Sequence, residues 1–451
     1  MNLKPFPYIP PIQVFKKIHK KFDTAYILES VTGPKKLAQY SFIGFEPKMI
    51  LKANNKELEI KDCKEGFLER EDVKDPLCVL KEIQGSLNFD ERWSRLVGGA
   101  VGYVSYDSIE YWERIKSSKN DSDFPYIEFG IFDDGIVFDH TKNQAFYYFQ
   151  GEDRSKELKS ALEEIEDIND LYYSQPKVNV EFDSFFEKVS RIKEYIFSGD
   201  IFQAVLSKRY EFKIKGDLIH FYESLRRINP SPYMYFMKMG DRQIVGSSPE
   251  MLVRVDNGIV ETFPIAGTRP KLKDKIMNDI MQKELLIDPK ECAEHLMLVD
   301  LARNDIGKVC EFGSVHVPEF MEVHQYSHVQ HIVSRVLGKL RGDKDAFDTF
   351  RGVFPAGTVT GAPKIRAMEI IDELEPSRRG PYAGAIGYFS YNGNADFAIT
   401  IRTLVANKDK AYIQVGAGIV ADSDPSKEWL ETEYKAEALM KALKVSGRVY
   451  E

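Results

Sequence analysis

Two stretches distant in the chain carry glutamates at helical spacing. Glu291 and Glu294 follow Asp288-Pro289-Lys290, and Glu428 and Glu431 precede Lys435. Residues three or four apart sit on neighbouring turns of a helix. If both helices aim their acids at one point, four anions repel and raise one another's pKa values unless a cation sits among them. No His/Cys cluster at zinc spacing accompanies them, so an oxygen-preferring ion, Mg2+, is the fitting choice. Mg2+ usually keeps several waters and takes one or two carboxylates, which leaves room for a substrate carboxylate. Plainer accounts exist. Glu291 sits where a capping-box acid would, and Glu431 with Lys435 makes an i,i+4 surface pair worth roughly 0.3–0.5 kcal/mol. Spacing alone leaves both accounts open.

A second stretch able to bind an anion runs over 350–420. Its glycine-rich loop (Gly357, Thr358, Thr360, Gly361) leads through Pro363 into a helical run, and such a loop offers free backbone N–H groups at the positive end of a helix. Strands are expected at 383–391, 395–405 and 411–420, with Arg402 inside the middle one. Gly416-Ala417-Gly418 lets backbone approach a ligand closely. The combination suits a small carboxylate-bearing molecule. It is neither a P-loop nor a dinucleotide fingerprint, because the glycine spacing of both is missing.

The rest of the chain must position these groups. With 451 residues, 43% hydrophobic and 29% charged, it can bury a large core. A net charge of -8 argues against nucleic acid or an acidic membrane surface as partner. The four cysteines form no C-x-x-C pair, and no run approaches a membrane span, so a cytoplasmic protein is expected. Residues 1–175 read as a β-rich region, with short strands at 26–31, 41–46, 49–53, 57–60, 96–106, 127–132 and 144–149. A surface helix at 155–168 precedes a boundary near 170–180. Residues 176–451 alternate helices (182–199, 217–228, from 288, and 425–443) with strands at 201–212, 233–238, 242–247, 251–255 and 259–265.

Several long motifs then become specific. Asp300–Gly307 (DLARNDIG) behind Glu291-Cys292-Ala293-Glu294-His295, Pro264–Thr268 (PIAGT), Phe354–Lys364 (FPAGTVTGAPK) and Gly199–Arg209 (GDIFQAVLSKR) resemble the chorismate-utilising enzymes, over roughly 180–445. Leu28-Glu29-Ser30 and the run from Gly98 to Asp107 resemble the N-terminal region of anthranilate synthase component I, a branch of that family. The resemblance implies an α+β fold, with large antiparallel β-sheets packed as a sandwich and helices outside.

It also implies roles for residues. Glu294 and Glu431 match the Mg2+ ligands, supported by Glu291 and Glu428, and the metal would bind the ring carboxylate of chorismate. Arg402 and Tyr382, with backbone at Gly416, Ala417 and Gly418, match the grip on the pyruvyl carboxylate. Gly267, Thr268, Thr358 and Lys435 complete the substrate shell. Glu250 matches the acid that protonates the departing C4 hydroxyl, and His331 a histidine of the later pyruvate elimination. Relatives that add water carry a lysine base where Gln203 stands, and aminodeoxychorismate synthases usually carry a lysine where Ala266 stands. The resemblance therefore implies direct amination at C2 to give anthranilate, the first step of tryptophan biosynthesis. The alternatives are an aminodeoxychorismate synthase making the 4-amino product, or a non-catalytic sensor on the same fold. No glutaminase constellation is present, so ammonia is expected from a separate glutamine amidotransferase subunit. Leu28, Glu29 and Ser30 with Pro232, Tyr233 and Met234 match the family's tryptophan feedback site. Gln39-Tyr40-Ser41 departs from it, having glutamine where an arginine is usual.

Overall fold

The structure is a computed structural model that describes residues 1–30, 39–66, 68–85, 94–115, 117, 119, 123–164, 168–272, 274–325 and 329–450. Two sheets, one of 14 strands and one of 12 among the described residues, lie face to face. The layer between them is filled by Tyr26, Phe42, Tyr148 and Tyr235 from the larger sheet and by Tyr103, Phe132, Ile386 and Tyr388 from the smaller. Inward side chains alternate with outward ones along each strand, so each sheet has a second apolar face that needs cover. On the larger sheet that cover comes from the helices Pro11–Lys21, Ile219–Ile228 and Pro425–Ser446, which contribute Phe15, Phe221, Leu439 and Leu443. On the smaller sheet it comes from Pro289–Gly307 and Ala346–Val353, through Val299 and Phe350, while Lys364–Leu374 packs on the larger sheet through Ala367 and Ile370. This is the α+β sandwich the motifs implied.

The two regions of the chain share both sheets. Thr24–Glu29 pairs with Tyr233–Met239, and Gly99–Val104 pairs with Ala385–Ser390. The boundary near 175 is thus a division along the chain, and strands from both sides of it are hydrogen-bonded neighbours.

One expected strand is two. Ala395–Ile399 belongs to the smaller sheet and Thr403–Asn407 to the larger, so the chain crosses between layers at 400–402. Arg402 turns that corner with φ 53°, a left-handed conformation that is uncommon outside glycine and sits poorly in a strand. Arg402 is therefore at a crossover and not inside a strand. The Asn392-Gly393 and Asn257-Gly258 hairpins form where expected. The expected helix at 155–168 is Ser155–Glu163, with 165–167 outside the described residues. Residue 31, the end of the first expected strand, also lies outside them.

Candidate functional site

The two glutamate-bearing helices are fixed from their first turns. Asp288 accepts hydrogen bonds from the Lys290 and Glu291 N–H groups, with Pro289 in the first turn; Asp424 accepts from Ser426 and Lys427, with Pro425 in the first turn. Proline costs nothing there because its missing N–H has no partner in a first turn. Behind the first helix, His295 is fully buried, 2.7 Å from the Ser334 hydroxyl. Ser334 also accepts from the Met321 N–H, which ties the helix to the strand His316–Gln325. Behind the second helix, Lys208 lies under the Trp429 ring and donates to Glu433, while Ala436, Leu439 and Leu443 enter the core.

The acids of the two helices face each other. Glu294 has its carboxyl pushed above the usual carboxylate range, first by burial, then by the charges of Glu291 and Glu431. Burial also raises Glu428, opposed by the Ser423 hydroxyl and reinforced by Glu431. Glu291 and Glu431 already have cationic partners: Arg269 at 3.1 Å and Lys435 at 2.6 Å. Glu294 and Glu428 have no ion pair among the described residues. They are half-buried and buried acids within reach of like charge, the donor chemistry that a hard divalent ion satisfies. The four do not form a closed cage: among the described residues, the one group of three or more with ligand atoms within 4.8 Å of one another is Glu319, Glu322 and His324. An ion here would keep waters in its shell, as Mg2+ does.

Next to the acids lies a wall of bare backbone. A Cβ on Gly418 would stand 2.6 Å from the Gln203 amide nitrogen, and one on Gly416 would stand 2.8 Å from the Tyr382 hydroxyl. A side chain at either position would displace the Gln203 amide or the Tyr382 hydroxyl. Gln203 is buried, and its Nε2 donates to Glu294 at 3.4 Å. Lys435 donates to the Gly416 carbonyl at 2.8 Å, and Arg402 donates to the Lys435 carbonyl at 2.8 Å. Arg402, Lys435, Tyr382 and Gly416–Gly418 thus form one connected cationic rim.

The remaining residues complete it. Glu250 follows the strand Arg242–Ser248, and burial pushes its carboxyl up to about 7 against the opposing effects of the Thr358 hydroxyl and Lys435. His331 donates Nδ1–H to the Gly267 carbonyl at 2.8 Å, which makes Nε2 the basic nitrogen. Burial lowers its pKa and favours the neutral ring. Thr268 follows Gly267 in the strand Ile265–Pro270, though its side chain is outside the described part. Every residue of the expected metal and substrate set converges here, with Thr268 placed by its backbone.

The chorismate binding enzyme family matches residues 23–441. Anthranilate synthase component 1 of Methanothermobacter marburgensis is 49% identical over 97% of this chain and 93% of its own, and that of Saccharolobus solfataricus is 44% identical over 97% and 98%. The chain belongs to the chorismate-binding enzymes, among the anthranilate synthase components 1. The crystal structure of anthranilate synthase component I from Streptococcus pneumoniae superimposes with a TM-score of 0.80 at 36% identity, covering 97% of this chain and 100% of that one. The menaquinone-specific isochorismate synthase of Escherichia coli shares the fold, with a TM-score of 0.74 at 17% identity over 98% and 94%.

The expected feedback residues of this family member also meet. A pocket between the sheets is lined by Leu28, Glu29, Ser30, Tyr233 and Met234, with Tyr40, Phe42, Arg95 and Tyr388. Ser30 donates to the Pro232 carbonyl at 2.5 Å. The Glu29 carboxylate is drawn to the opposite face, where Tyr222 and Arg226 each donate at 2.7 Å. Its side chain is structural, and its backbone lines the pocket. Sequence reasoning missed Arg269, which bridges Asp288 and Glu291, although it directly follows the PIAGT run. It also missed Ser423, two residues before the helix that carries the Glu428 carboxyl it serves.

Proposed function

We propose that the protein is a Mg2+-dependent anthranilate synthase component I, aminating chorismate at C2 with ammonia and then eliminating pyruvate. The observation that carries this reading is Gln203, an amide hydrogen-bonded to Glu294 where water-adding relatives have a basic lysine. An amide cannot deprotonate water, whereas ammonia is a nucleophile without help. Ala266, at the position of the lysine used for covalent capture, removes the second alternative. The intact set of acids, Lys435 and Arg402 argues against a sensor that binds without turnover.

Glu294 and Glu431, with Glu291 and Glu428 behind them, would hold Mg2+, which would supply positive charge for the ring carboxylate. Arg402, Tyr382 and the Gly416–Gly418 backbone hold the pyruvyl carboxylate, so the ring is pinned at two ends. Glu250, protonated near neutral pH, gives its proton to the C4 oxygen as the C4–O bond breaks and ammonia bonds to C2. His331, neutral and oriented through Gly267, stands by for the second step, in which the C2 proton and pyruvate are lost and the ring becomes aromatic.

Ammonia comes from a glutamine amidotransferase partner, and tryptophan occupies the pocket between the sheets as feedback inhibitor. The setting is the cytoplasm; no helix among the described residues is long and apolar enough to cross a membrane. Incubation with chorismate, Mg2+ and ammonium salt, with products identified by fluorescence and mass, tests the reading. Anthranilate and pyruvate are expected. Isochorismate or 4-aminobenzoate as the product overturns it.

A further inference from the structure

Glu250 and Thr358 have a second side. Behind them lies a cavity of about 40 Å³, room for a few water molecules. Its walls include Leu298, Ala302 and Val353, and Asp305 lines it about one helical turn beyond Ala302, away from Leu298. There the Asp305 carboxylate meets Lys364 at 2.8 Å and the exposed Lys308 at 3.0 Å, so the far end is polar and next to the surface. Gln203, at the nucleophile end of the site, does not line the cavity.

We propose that this cavity is the outlet for the water formed at C4, with Ala302 as the wall residue that keeps it open. The inference rests on the function proposed above. In that reaction the Glu250 proton goes to the C4 oxygen and the C4–O bonding pair leaves with it as water. The ammonia lone pair forms the C2–N bond, both ring double bonds shift along C1–C6–C5 towards C4, and the new ammonium group sheds one proton, balancing the one Glu250 gave. The water is released beside Glu250, where it could add back to the ring. Apolar walls hold water weakly, so it passes on towards the Asp305 end instead of lingering at C4.

Filling the cavity tests this. Ala302→Val and Ala302→Leu narrow it in steps, and the double variant Leu298→Ala/Ala302→Leu returns the volume one turn away. Amination from chorismate and ammonium salt should slow at least tenfold in Ala302→Leu and by less in Ala302→Val. Chorismate KM and Mg2+ activation should stay within twofold, and the double variant should recover. Pyruvate elimination from supplied 2-amino intermediate, which releases no water, should run at the wild-type rate in all three. If Ala302→Leu does not fold, Ala302→Val and the double variant decide. Folded variants that aminate at the wild-type rate, or that slow both steps by the same factor, overturn the outlet. A wild-type protein that makes no anthranilate at all sinks the functional reading instead.

Discussion

Lys435 joins the glutamates of the two helices to the glycine wall: its ammonium lies 2.6 Å from Glu431 and donates to the Gly416 carbonyl at 2.8 Å. The i,i+4 pair that spacing suggested does form, but at the mouth of the site. Lys435 also lowers the Glu250 carboxyl, which burial holds at about 7. Lys435→Met should therefore raise chorismate KM more than tenfold. It should also move the alkaline limb of the amination pH profile upward, because Glu250 loses a neighbouring cation. Steady-state kinetics across pH check both, and an unmoved limb would separate Lys435 from Glu250.

The metal acids predict their own linkage. Glu294 is raised by burial and by Glu291 and Glu431, so in the metal-free protein it binds its proton more tightly than an ordinary glutamate. Mg2+ needs the carboxylate, so binding should release protons and weaken as pH falls. Glu294→Gln or Glu431→Gln should abolish Mg2+-dependent turnover and the Mg2+-induced thermal shift. In Glu294→Gln the metal-free melting temperature should not fall, because that change removes a buried acid raised by the like charges of Glu291 and Glu431. Calorimetry in buffers of different ionisation enthalpy measures the proton release. Full activity in both variants would remove these residues from the metal site.

Glu250 sets the alkaline limit of the first step. Its pKa is raised, so the acid form dominates below about 7 and is lost above it. A general acid must carry its proton, so kcat for amination should fall as pH rises through about 7. Glu250→Gln should lose on the order of 10²–10⁴-fold in amination while still binding chorismate. A pH profile that stays flat to pH 9 would assign the proton to another group.

Gly418 explains why the wall is glycine. A methyl group there would stand 2.6 Å from the Gln203 amide, far inside contact distance, and Gln203 would have to leave Glu294. Gly418→Ala should fold, since its neighbours are side-chain atoms that can move, but should lose amination at least tenfold. Gly361→Ala differs: its Cβ would stand 2.0 Å from the Gln203 backbone carbonyl, at φ 147°. That clash cannot be relieved by a rotamer, and loss of soluble protein is expected.

Much of this was legible in the chain because the signals are local. Asp288-Pro289 and Asp424-Pro425 announce helix starts, and Asn257-Gly258 and Asn392-Gly393 announce hairpins; each depends on a few adjacent residues. What stayed hidden depends on layers. The run 395–405 has unbroken strand character, and nothing in it says that Ile399 and Thr403 belong to different sheets. The strand Val329–Lys339, which carries His331, pairs with His316–Gln325, where exposed and half-buried positions alternate but Phe320 lies on the exposed side and Glu319 on the inner one, which blurs the hydrophobic alternation. The helix Lys275–Ile287 exposes Ile276, Ile280 and Ile287, so its apolar residues do not form one buried stripe. That Glu294 faces Glu431 is a tertiary fact, which spacing within either helix cannot contain.

The pocket between the sheets reaches the site through hydrogen-bonded register. Tyr233 pairs with Ser248, two residues before Glu250, and pocket-lining Ala398 pairs with Met251, one residue after it. Tyr233 also donates to Asp396 at 2.9 Å, and Arg254 holds the same carboxylate at 2.8 Å. A ligand that spreads the layers at Tyr233 and Ala398 must therefore shift the strands on both sides of Glu250. An indole ring suits the aromatic walls of Tyr40, Phe42 and Tyr388. L-Tryptophan should raise the melting temperature and inhibit amination in the same concentration range. Ser30→Leu, which fills the pocket edge and removes the bond to Pro232, should abolish both effects while leaving uninhibited turnover within twofold. Undiminished inhibition in that variant would place the regulatory site elsewhere.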